Sequence, residues 1–417
     1  MNILFIHQNF PAQFKNLAPA LVKQGHSVTA LSLRDIKPQT WQGVRIIPYR
    51  IINLPSKDAH PWARETELKI VRGAACLETS ARLAKEGYAP DLILAHHGWG
   101  ESMFLKDLWP EAKMGVYCEY FYSKTGGDVE FDPEFPAKAI EVLAQEQSGV
   151  GPLRIKNLMN YMHMPIADAG LSPTQWQANT FPKDFRKKIT VIHDGIDTDI
   201  LIPKSDPMLT LNNSIQIGKD NEIVTFINRE LEPLRGYHVF MRSLPQLLKK
   251  KPKLRVLIVG GNDVSYGAKP PDTQSSWRDI FATEVRSKMT DEEWGRVYFV
   301  GKIPYQNFIN LLQISTVHVY LSYPFVLSWS LLEAMSLSCA IVASDTDPVR
   351  EVIEHNKTGK LIDFFDSEAL CDSVISLLDQ PKERERLGVN ARAFIKRKFD
   401  LKTKCLPRQI KWVESLC

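Results

Sequence analysis

The sequence predicts an α/β protein built from two Rossmann-like domains, each a mostly parallel sheet covered by helices. Three observations carry this expectation. Short runs rich in Val, Ile and Leu alternate with longer amphipathic stretches, as in β-α-β units whose crossover helices bury both faces of a sheet. The alternation breaks at a polar, proline-bearing stretch after residue 201 and restarts at residue 223. The chain has 417 residues, more than one core ordinarily serves.

In the first series, strands are expected over residues 2–7, 28–31, 44–48, 91–95, 114–117, 167–171 and 189–192. Pro11 opens a helix at its first position; that helix runs to Gln24 and stops at Gly25. A long amphipathic helix covers 65–86. Residues 202–222 carry two prolines and no periodicity, which reads as a linker. The second series has strands over 223–227, 254–259, 297–300, 317–321, 340–343 and 360–362, with a helix over 236–249. The expected organisation is an N-terminal domain at 1–203, a linker at 204–222, a C-terminal domain at 223–400, and a closing helix at 401–417 that returns to the first domain. The domains are expected to face each other across a cleft, with ligands at the carboxyl ends of the strands.

Composition narrows the function classes. With 44% hydrophobic and 24% charged residues the chain is globular rather than disordered. Its 52 Lys and Arg against 48 Asp and Glu are too balanced to indicate a nucleic-acid partner. The basic runs KDFRKK (183–188) and KKKPK (249–253) read as solvated ends, with attraction to a membrane surface as the lesser reading. Six scattered cysteines without a C-x-x-C pair argue against a disulfide framework or zinc site, and for a reducing compartment. The opening MNILFIHQNF lacks a basic segment and a cleavage site, and no run approaches the roughly 20 apolar residues of a membrane span. A cytoplasmic protein is expected, with peripheral contact at the inner membrane face as an added expectation.

Several stretches could carry chemistry. NRELEPLRG (228–236) follows a strand directly, and its turn can bring the Arg229 and Arg235 guanidiniums over the strand end, where a diphosphate suits them. A solvated loop with two ordinary arginines is the plain alternative. Glu333 stands in an apolar run on a helix that begins after Leu327 and Ser328. The backbone N–H groups of such a helix start could bind phosphate, and the carboxylate about a turn further in could accept both hydroxyls of a ribose. A carboxylate among Leu331, Leu332, Ala334 and Met335 needs a partner, and a ligand diol or an arginine would serve. His96 and His97, in HHGWGES (96–102), lie just past a strand end, where a histidine could touch a sugar, assist proton transfer, or simply be held by backbone carbonyls. The turn at 9–14 has neither G-x-G-x-x-G nor a Walker A sequence, so nicotinamide, flavin and P-loop sites are not indicated. The loop at 119–136, with its aromatics and acids, either shapes an acceptor site or packs on the surface.

Together these residues resemble the family-4 retaining glycosyltransferases of the GT-B fold, over nearly the whole chain. IHDGIDTDI (192–200) is similar to the family's N-G-V-D segment, and NRELEPLRG to its R…K-G donor-phosphate motif. SWSLLEAMSLSCAIVASDTDPVREVI (328–353) is similar to its L-E-A-M-A-x-G-x-P block. HHGWGES and EFDPEFP resemble a bacterial subset with an HxGWGE-like segment. The resemblance implies that Arg229 and Arg235 clamp the donor diphosphate and that Glu333, the second glutamate of a Glu-x7-Glu pair, holds the ribose. It implies that backbone at Leu327, Ser328 and Trp329 meets phosphate and sugar, and that Gly301, Lys302 and Ile303 line the base pocket. The turn at Phe10, Pro11 and Ala12 would approach the phosphates, and His96 the donor sugar near its reacting carbon. His97, Trp99, Glu101, Glu119 and Asp128 are the acceptor-side candidates. Two positions depart from the pattern: Phe325 stands where the first glutamate usually does, and Ser328 where glycine is usual.

The resulting expectation is a retaining glycosyltransferase that takes a nucleoside-diphosphate sugar, UDP before GDP, and a saccharide or lipid-linked saccharide acceptor. No Asp-x-Asp pair sits in a loop suited to bridging a diphosphate through a cation, so neither metal nor other cofactor is expected, the arginines standing in. A GT-B sugar-nucleotide epimerase and a non-catalytic sugar-nucleotide-binding protein are the alternatives.

Overall fold

The computed structural model describes residues 1–34, 39–52, 54–56, 58–135, 151–204, 206–211, 215–218, 221–271 and 275–416. The chain divides into two compact units. The first comprises Met1–Lys124, Val142–Gly195 and Leu401–Cys417; the second comprises Thr125–Glu141 and Ile196–Asp400.

The first unit is built on β1 (Asn2–Ile6), β2 (Ser27–Ser32), β3 (Thr40–Trp41), β4 (Val44–Pro48), β5 (Leu92–Ala95), β6 (Lys113–Tyr117), β7 (Ala169–Ser172) and β8 (Ile189–Val191). They form one sheet in the order β3-β4-β2-β1-β5-β6-β7-β8, parallel except for the short β3–β4 pair. Alternation along β1 shows why it is central. Ile3 and Phe5 enter one apolar cluster, whereas Leu4 and Ile6 enter another, so both faces of the strand are buried. Helix Arg64–Lys85 contributes Ala75, Cys76 and Leu83 to the second cluster. Cys405, Trp412 and Val413, from the end of the chain, join the first.

The expected helix from Pro11 to Gln24 is two pieces, a 3-10 turn at Ala12–Phe14 and a helix at Leu17–Lys23. Ala12 sits at φ 39, a left-handed conformation that no right-handed helix can contain.

The second unit carries β11 (Ile223–Glu230), β12 (Arg255–Gly261), β13 (Val297–Gly301), β14 (Val317–Tyr320), β15 (Ile341–Ser344) and β16 (Lys360–Ile362), after a hairpin of β9 (Met208–Leu211) and β10 (Ile215–Gly218). Its main sheet is wholly parallel, in the order β13-β12-β11-β14-β15-β16. The hairpin occupies most of the stretch read as a linker: β9 and β10 pair antiparallel, Leu211 opposite Ile215. Its Met-Leu-Thr-Leu and Ile-Gln-Ile-Gly runs are too short for periodicity to stand out.

The segment that begins at Thr125 belongs to the second unit although the sequence places it in the middle of the first domain. Asp132 holds it there. Its buried carboxylate accepts from the Tyr323 hydroxyl at 2.6 Å and lies 3.2 Å from His238 Nε2. Burial alone would raise the Asp132 carboxyl, but these two partners outweigh it and hold the group below its ordinary range. Phe135 packs against His238, Trp277 and Phe281, and Phe131 against Tyr323, Phe364 and Phe365. Glu134 takes both ends of the Arg242 guanidinium at 2.7 Å. Of the two readings for the acidic, aromatic loop, a packed segment describes residues 130–135. Residue 136 lies outside the described residues.

Candidate active site

Topology locates the candidate sites before any side chain is considered. Counted from β11, the second sheet runs 3-2-1-4-5-6, so the strand order reverses between β11 and β14. A ligand crevice opens outside the carboxyl ends of strands at such a reversal. In the first sheet the reversal falls between β1 and β5. The turns that leave those four ends carry most of the residues singled out above.

In the second unit, Arg235 closes a 3-10 turn at Pro233–Arg235, and Gly236 follows at φ 69. A side chain at residue 236 would place its Cβ 2.3 Å from that of Leu321, so glycine is required on both conformational and steric grounds. This close approach lays Arg235 along the turn after β14. Its Nη1 donates to Ser322 Oγ at 2.8 Å and to the Val326 carbonyl at 3.3 Å, and Nη2 reaches the same carbonyl at 3.4 Å. The face of the guanidinium lies over Tyr266 and Phe325. Arg229, at the end of β11, is exposed and has no hydrogen bond or ion pair among the described residues. One arginine is therefore held in place, and the other stands exposed at the strand end.

Helix Trp329–Ser336 starts at Ser328, whose side chain caps the Ser330 N–H. The Ser328 N–H donates to the Tyr320 hydroxyl at 3.2 Å. Leu327 sends its side chain into the core, so only its backbone belongs to the turn. Trp329 is half-buried. Glu333 is 7% exposed, and the Tyr305 hydroxyl donates to its Oε1 at 2.7 Å. Tyr305, a partner the sequence reading did not name, thus meets one of the two carboxylate oxygens. Burial first, and the Glu333 charge second, push the Tyr305 phenol above its ordinary range. Tyr305 opens a helix after Pro304, just past β13. Its position after a strand and a proline was the signal available in the sequence.

Near the end of β13, Gly301 sits at φ 75 and Ile303 packs against the core. Lys302 is exposed and pairs with Glu230 at 2.5 Å. Glu230 and Glu232 also shape the loop after β12. Glu230 accepts from the Asp263 N–H at 3.0 Å. Glu232, fully enclosed, accepts from the N–H groups of Ser265, Tyr266 and Gly267 at 3.2, 3.4 and 3.0 Å.

In the first unit, the turn after β1 and the turn after β5 meet at His7 and His96, whose ring centroids are 5.2 Å apart. His96 stacks on Trp99 and on Tyr117. Its Nε2 lies 3.4 Å from Glu119 Oε2, a charge contact rather than an aligned hydrogen bond, and its Nδ1 has no hydrogen-bond partner among the described residues. Gln13 donates to the other Glu119 oxygen at 3.4 Å. His7 accepts from the Asn9 N–H, and burial, then the neighbouring His96, lowers its pKa to about 3. His7 and Tyr117 were not foreseen; each stands at the carboxyl end of a strand. Phe10 is wholly buried against Phe5 and Trp41, so only its backbone, with the half-buried Pro11 and Ala12, offers a surface.

Two acceptor-side candidates prove to be interior groups. His97 is buried, with Nε2 2.6 Å from Asn160 Oδ1 and its ring 5.0 Å from His163, and burial pushes its pKa well below the ordinary value. Glu101 is fully enclosed, accepts from the Tyr49 hydroxyl at 2.7 Å, and has its pKa raised by burial. His97 lies in the short 3-10 turn His97–Trp99, and Glu101 follows it after Gly100, whose left-handed φ of 100 redirects the chain. Trp99 and Glu119 remain beside His96, and Asp128 is buried in the second unit. Among the described residues no group of three or more His, Cys, Asp or Glu side chains is arranged to hold a metal ion.

Comparison with known proteins agrees with this layout. Residues 24–201 match the glycosyl transferase family 4 group, and residues 210–394 match the glycosyl transferases group 1. The chain belongs to the family-4 glycosyltransferases and has the GT-B fold. It is 23% identical over 389 residues to the D-inositol 3-phosphate glycosyltransferase of Corynebacterium efficiens, covering 89% of this chain and 82% of that one. It is 27% identical over 180 residues to the phosphatidyl-myo-inositol mannosyltransferase of Mycolicibacterium smegmatis, covering 42% of this chain and 40% of that one. Among solved structures, the sucrose-phosphate synthase of Thermosynechococcus elongatus superposes with a TM-score of 0.76 at 18% identity, covering 100% of this chain and 99% of that one. Anabaena HepE in complex with UDP-glucose superposes with a TM-score of 0.66 at 15% identity, covering all of both chains.

Proposed function

We propose that this glycosyltransferase is a retaining enzyme that moves a sugar from a nucleoside-diphosphate sugar, UDP before GDP, to a saccharide or lipid-linked saccharide, without a divalent metal. The observation that carries the proposal is that a fixed guanidinium, Arg235, and a buried carboxylate, Glu333, lie on the segments that follow the two switch-point strands of a 3-2-1-4-5-6 sheet, Arg235 on the turn after β11 and Glu333 on the helix after β14. The fold it shares with HepE, which was solved with UDP and with UDP-glucose, supports UDP as the first nucleotide to try.

In this reading Arg235, joined by the exposed Arg229, holds the diphosphate and stabilises the charge that develops on it as the glycosidic bond breaks. Glu333 accepts the ribose hydroxyls, its carboxylate oriented by Tyr305. The bond between the sugar's anomeric carbon and the β-phosphate oxygen breaks. The acceptor oxygen bonds to that carbon on the same face, and its proton passes to the leaving phosphate. No protein nucleophile is needed, so positioning and charge stabilisation do the work. His96, whose Nδ1 is enclosed and has no hydrogen-bond partner among the described residues, is the group read here as meeting a sugar hydroxyl once the turn around it shifts. The reading of peripheral membrane contact draws little from the run at 249–253, because Lys250 and Lys251 pair with Asp372 and Asp379.

The test is transfer from UDP- and GDP-sugars to a panel of saccharide acceptors, with and without a chelator, and the anomeric configuration of the product read by NMR. Retained configuration and indifference to the chelator are expected; inversion removes the mechanism. Phe325, in place of the first glutamate, motivates a second reading, sugar-nucleotide binding without catalysis. Tight binding without transfer, hydrolysis or epimerisation would favour it.

A further inference from the structure

The guanidinium of Arg235 is held on more than one side, and the residues that hold it include two that the family's motifs do not explain. Val326 O receives both terminal nitrogens and Ser322 Oγ receives Nη1, so the end of the fork is occupied. The edge formed by Nε and the remaining Nη2 hydrogen has no partner among the described residues. That edge is one that can grip a phosphate through two parallel hydrogen bonds.

The flat face is covered as well. The guanidinium carbon lies 5.8 Å from the centroid of the Tyr266 ring and 5.8 Å from that of Phe325. The two rings are 5.1 Å apart and tilted by 54°. Three such distances make a nearly equilateral triangle, so the rings form a corner beneath the cation rather than a sandwich around it. Both lie within the reach of a cation–π contact.

The corner is built from the loop after β12 and the turn after β14. Three successive N–H groups, of Ser265, Tyr266 and Gly267, converge on the enclosed Glu232 carboxylate and set the backbone that presents the Tyr266 ring. A Cβ at residue 267 would stand 3.1 Å from the Glu232 oxygen, which makes glycine fit there best. Phe325, 3% exposed, comes from the second turn. A glutamate at residue 325 would set a carboxylate beside the guanidinium, where it would compete with phosphate for the same hydrogens.

We propose that Tyr266 and Phe325 form an aromatic corner that fixes the Arg235 fork for a nucleotide diphosphate, Tyr266 acting as a positioning residue and Phe325 keeping the guanidinium unneutralised. The inference rests on the reading of Arg235 as the diphosphate holder. It adds a reason why this chain carries phenylalanine where a carboxylate is usual.

The test is calorimetric titration of the full chain with UDP and with GDP, on single and paired variants. Tyr266→Phe keeps the ring and binds within about twofold of the parent, whereas Tyr266→Leu binds about five- to tenfold more weakly. Phe325→Tyr and Phe325→Leu repeat the comparison on the other ring should Tyr266→Leu fail to fold. Phe325→Glu loses more than Phe325→Leu. Arg235→Ala binds about 100-fold more weakly, and adding Tyr266→Leu to it causes no further loss, because a positioning residue has nothing left to position. A loss from Tyr266→Leu that persists undiminished in the Arg235→Ala background, or no loss at all, overturns the inference. Full affinity in Arg235→Ala alone instead overturns the diphosphate reading, and a parent chain that binds neither nucleotide overturns both.

Discussion

Replacing Tyr305 by phenylalanine removes one oxygen and tests whether the Glu333 carboxylate is set for a ligand. The lost contact is a 2.7 Å hydrogen bond to a carboxylate only 7% exposed. A hydrogen bond to a charged group contributes about 1.5–3 kcal/mol. Glu333 keeps another interaction, and Tyr305 is more than half exposed, so the lower end applies, about 1.5–2 kcal/mol. That loss lowers the melting temperature of the second unit by about 3–8 °C. The phenol adds a signature at alkaline pH. Its pKa is raised above the unfolded value of 10.0, so the stability it contributes is complete below pH 10 and is lost as pH rises beyond it. The Tyr305→Phe chain lacks that alkaline decline. If Glu333 holds a ribose, loosening its carboxylate weakens UDP or GDP binding by about three- to tenfold, and Glu333→Gln weakens it by roughly 30-fold. Calorimetry and thermal unfolding on the same samples separate the two effects. A fall in melting temperature with nucleotide affinity unchanged in both variants refutes the ribose role and leaves Glu333 as an interior carboxylate.

Four further outcomes follow from the geometry. Burial lowers His7 to about 3, His163 and His193 each to about 4, and His97 well below 6.5, so each is neutral in the folded first unit and protonates on unfolding. Their contribution is complete above pH 6.5 and is lost as pH falls toward the folded values; between pH 7 and 5.5 the first unit loses about 1 kcal/mol per histidine, visible as lower amide protection there relative to the intrinsic exchange rate at each pH. Asp132→Ala removes the buried acceptor of His238 and leaves the Tyr323 hydroxyl only the Phe135 carbonyl, costs about 2 kcal/mol, and raises amide exchange over residues 129–135. Gly236→Ala combines a left-handed φ with a 2.3 Å clash and costs about 2–4 kcal/mol in thermal unfolding. His97→Ala lowers stability by about 2 kcal/mol through its buried bond to Asn160; His96→Ala also lowers melting, because its ring is buried against His7, Trp99 and Tyr117, and lowers turnover measured below that melting range.

Much of the architecture can be read from the sequence because each strand carries its own evidence. β1 buries both faces, so four consecutive apolar residues announce it, and β12 does the same; β11 is interrupted only by the buried Thr225, and β15 carries three. The switch-point turns are legible for a related reason: polar residues directly after such runs must lie at a strand end. Where a side chain points afterwards is decided in three dimensions. His96 and His97 are neighbours in sequence, yet one joins the aromatic cluster at the strand ends and the other bonds Asn160, sixty-three residues away. Arg229 and Arg235 look like a matched pair, but only Arg235 has the close approach of Gly236 to Leu321 to fix it. Residues 130–135 lack any periodicity, and their place in the second unit depends on Asp132 meeting Tyr323, 191 positions on.

The central claim is that Arg235 holds the diphosphate of a nucleotide sugar while transfer retains configuration. Its most direct test is NMR of the transfer product from UDP-sugars, comparing the parent chain with Arg235→Ala at matched stability. The account predicts an α-linked product from an α-linked donor, with turnover about 100-fold lower in the variant. An inverted product, or equal turnover in the two chains, would contradict it.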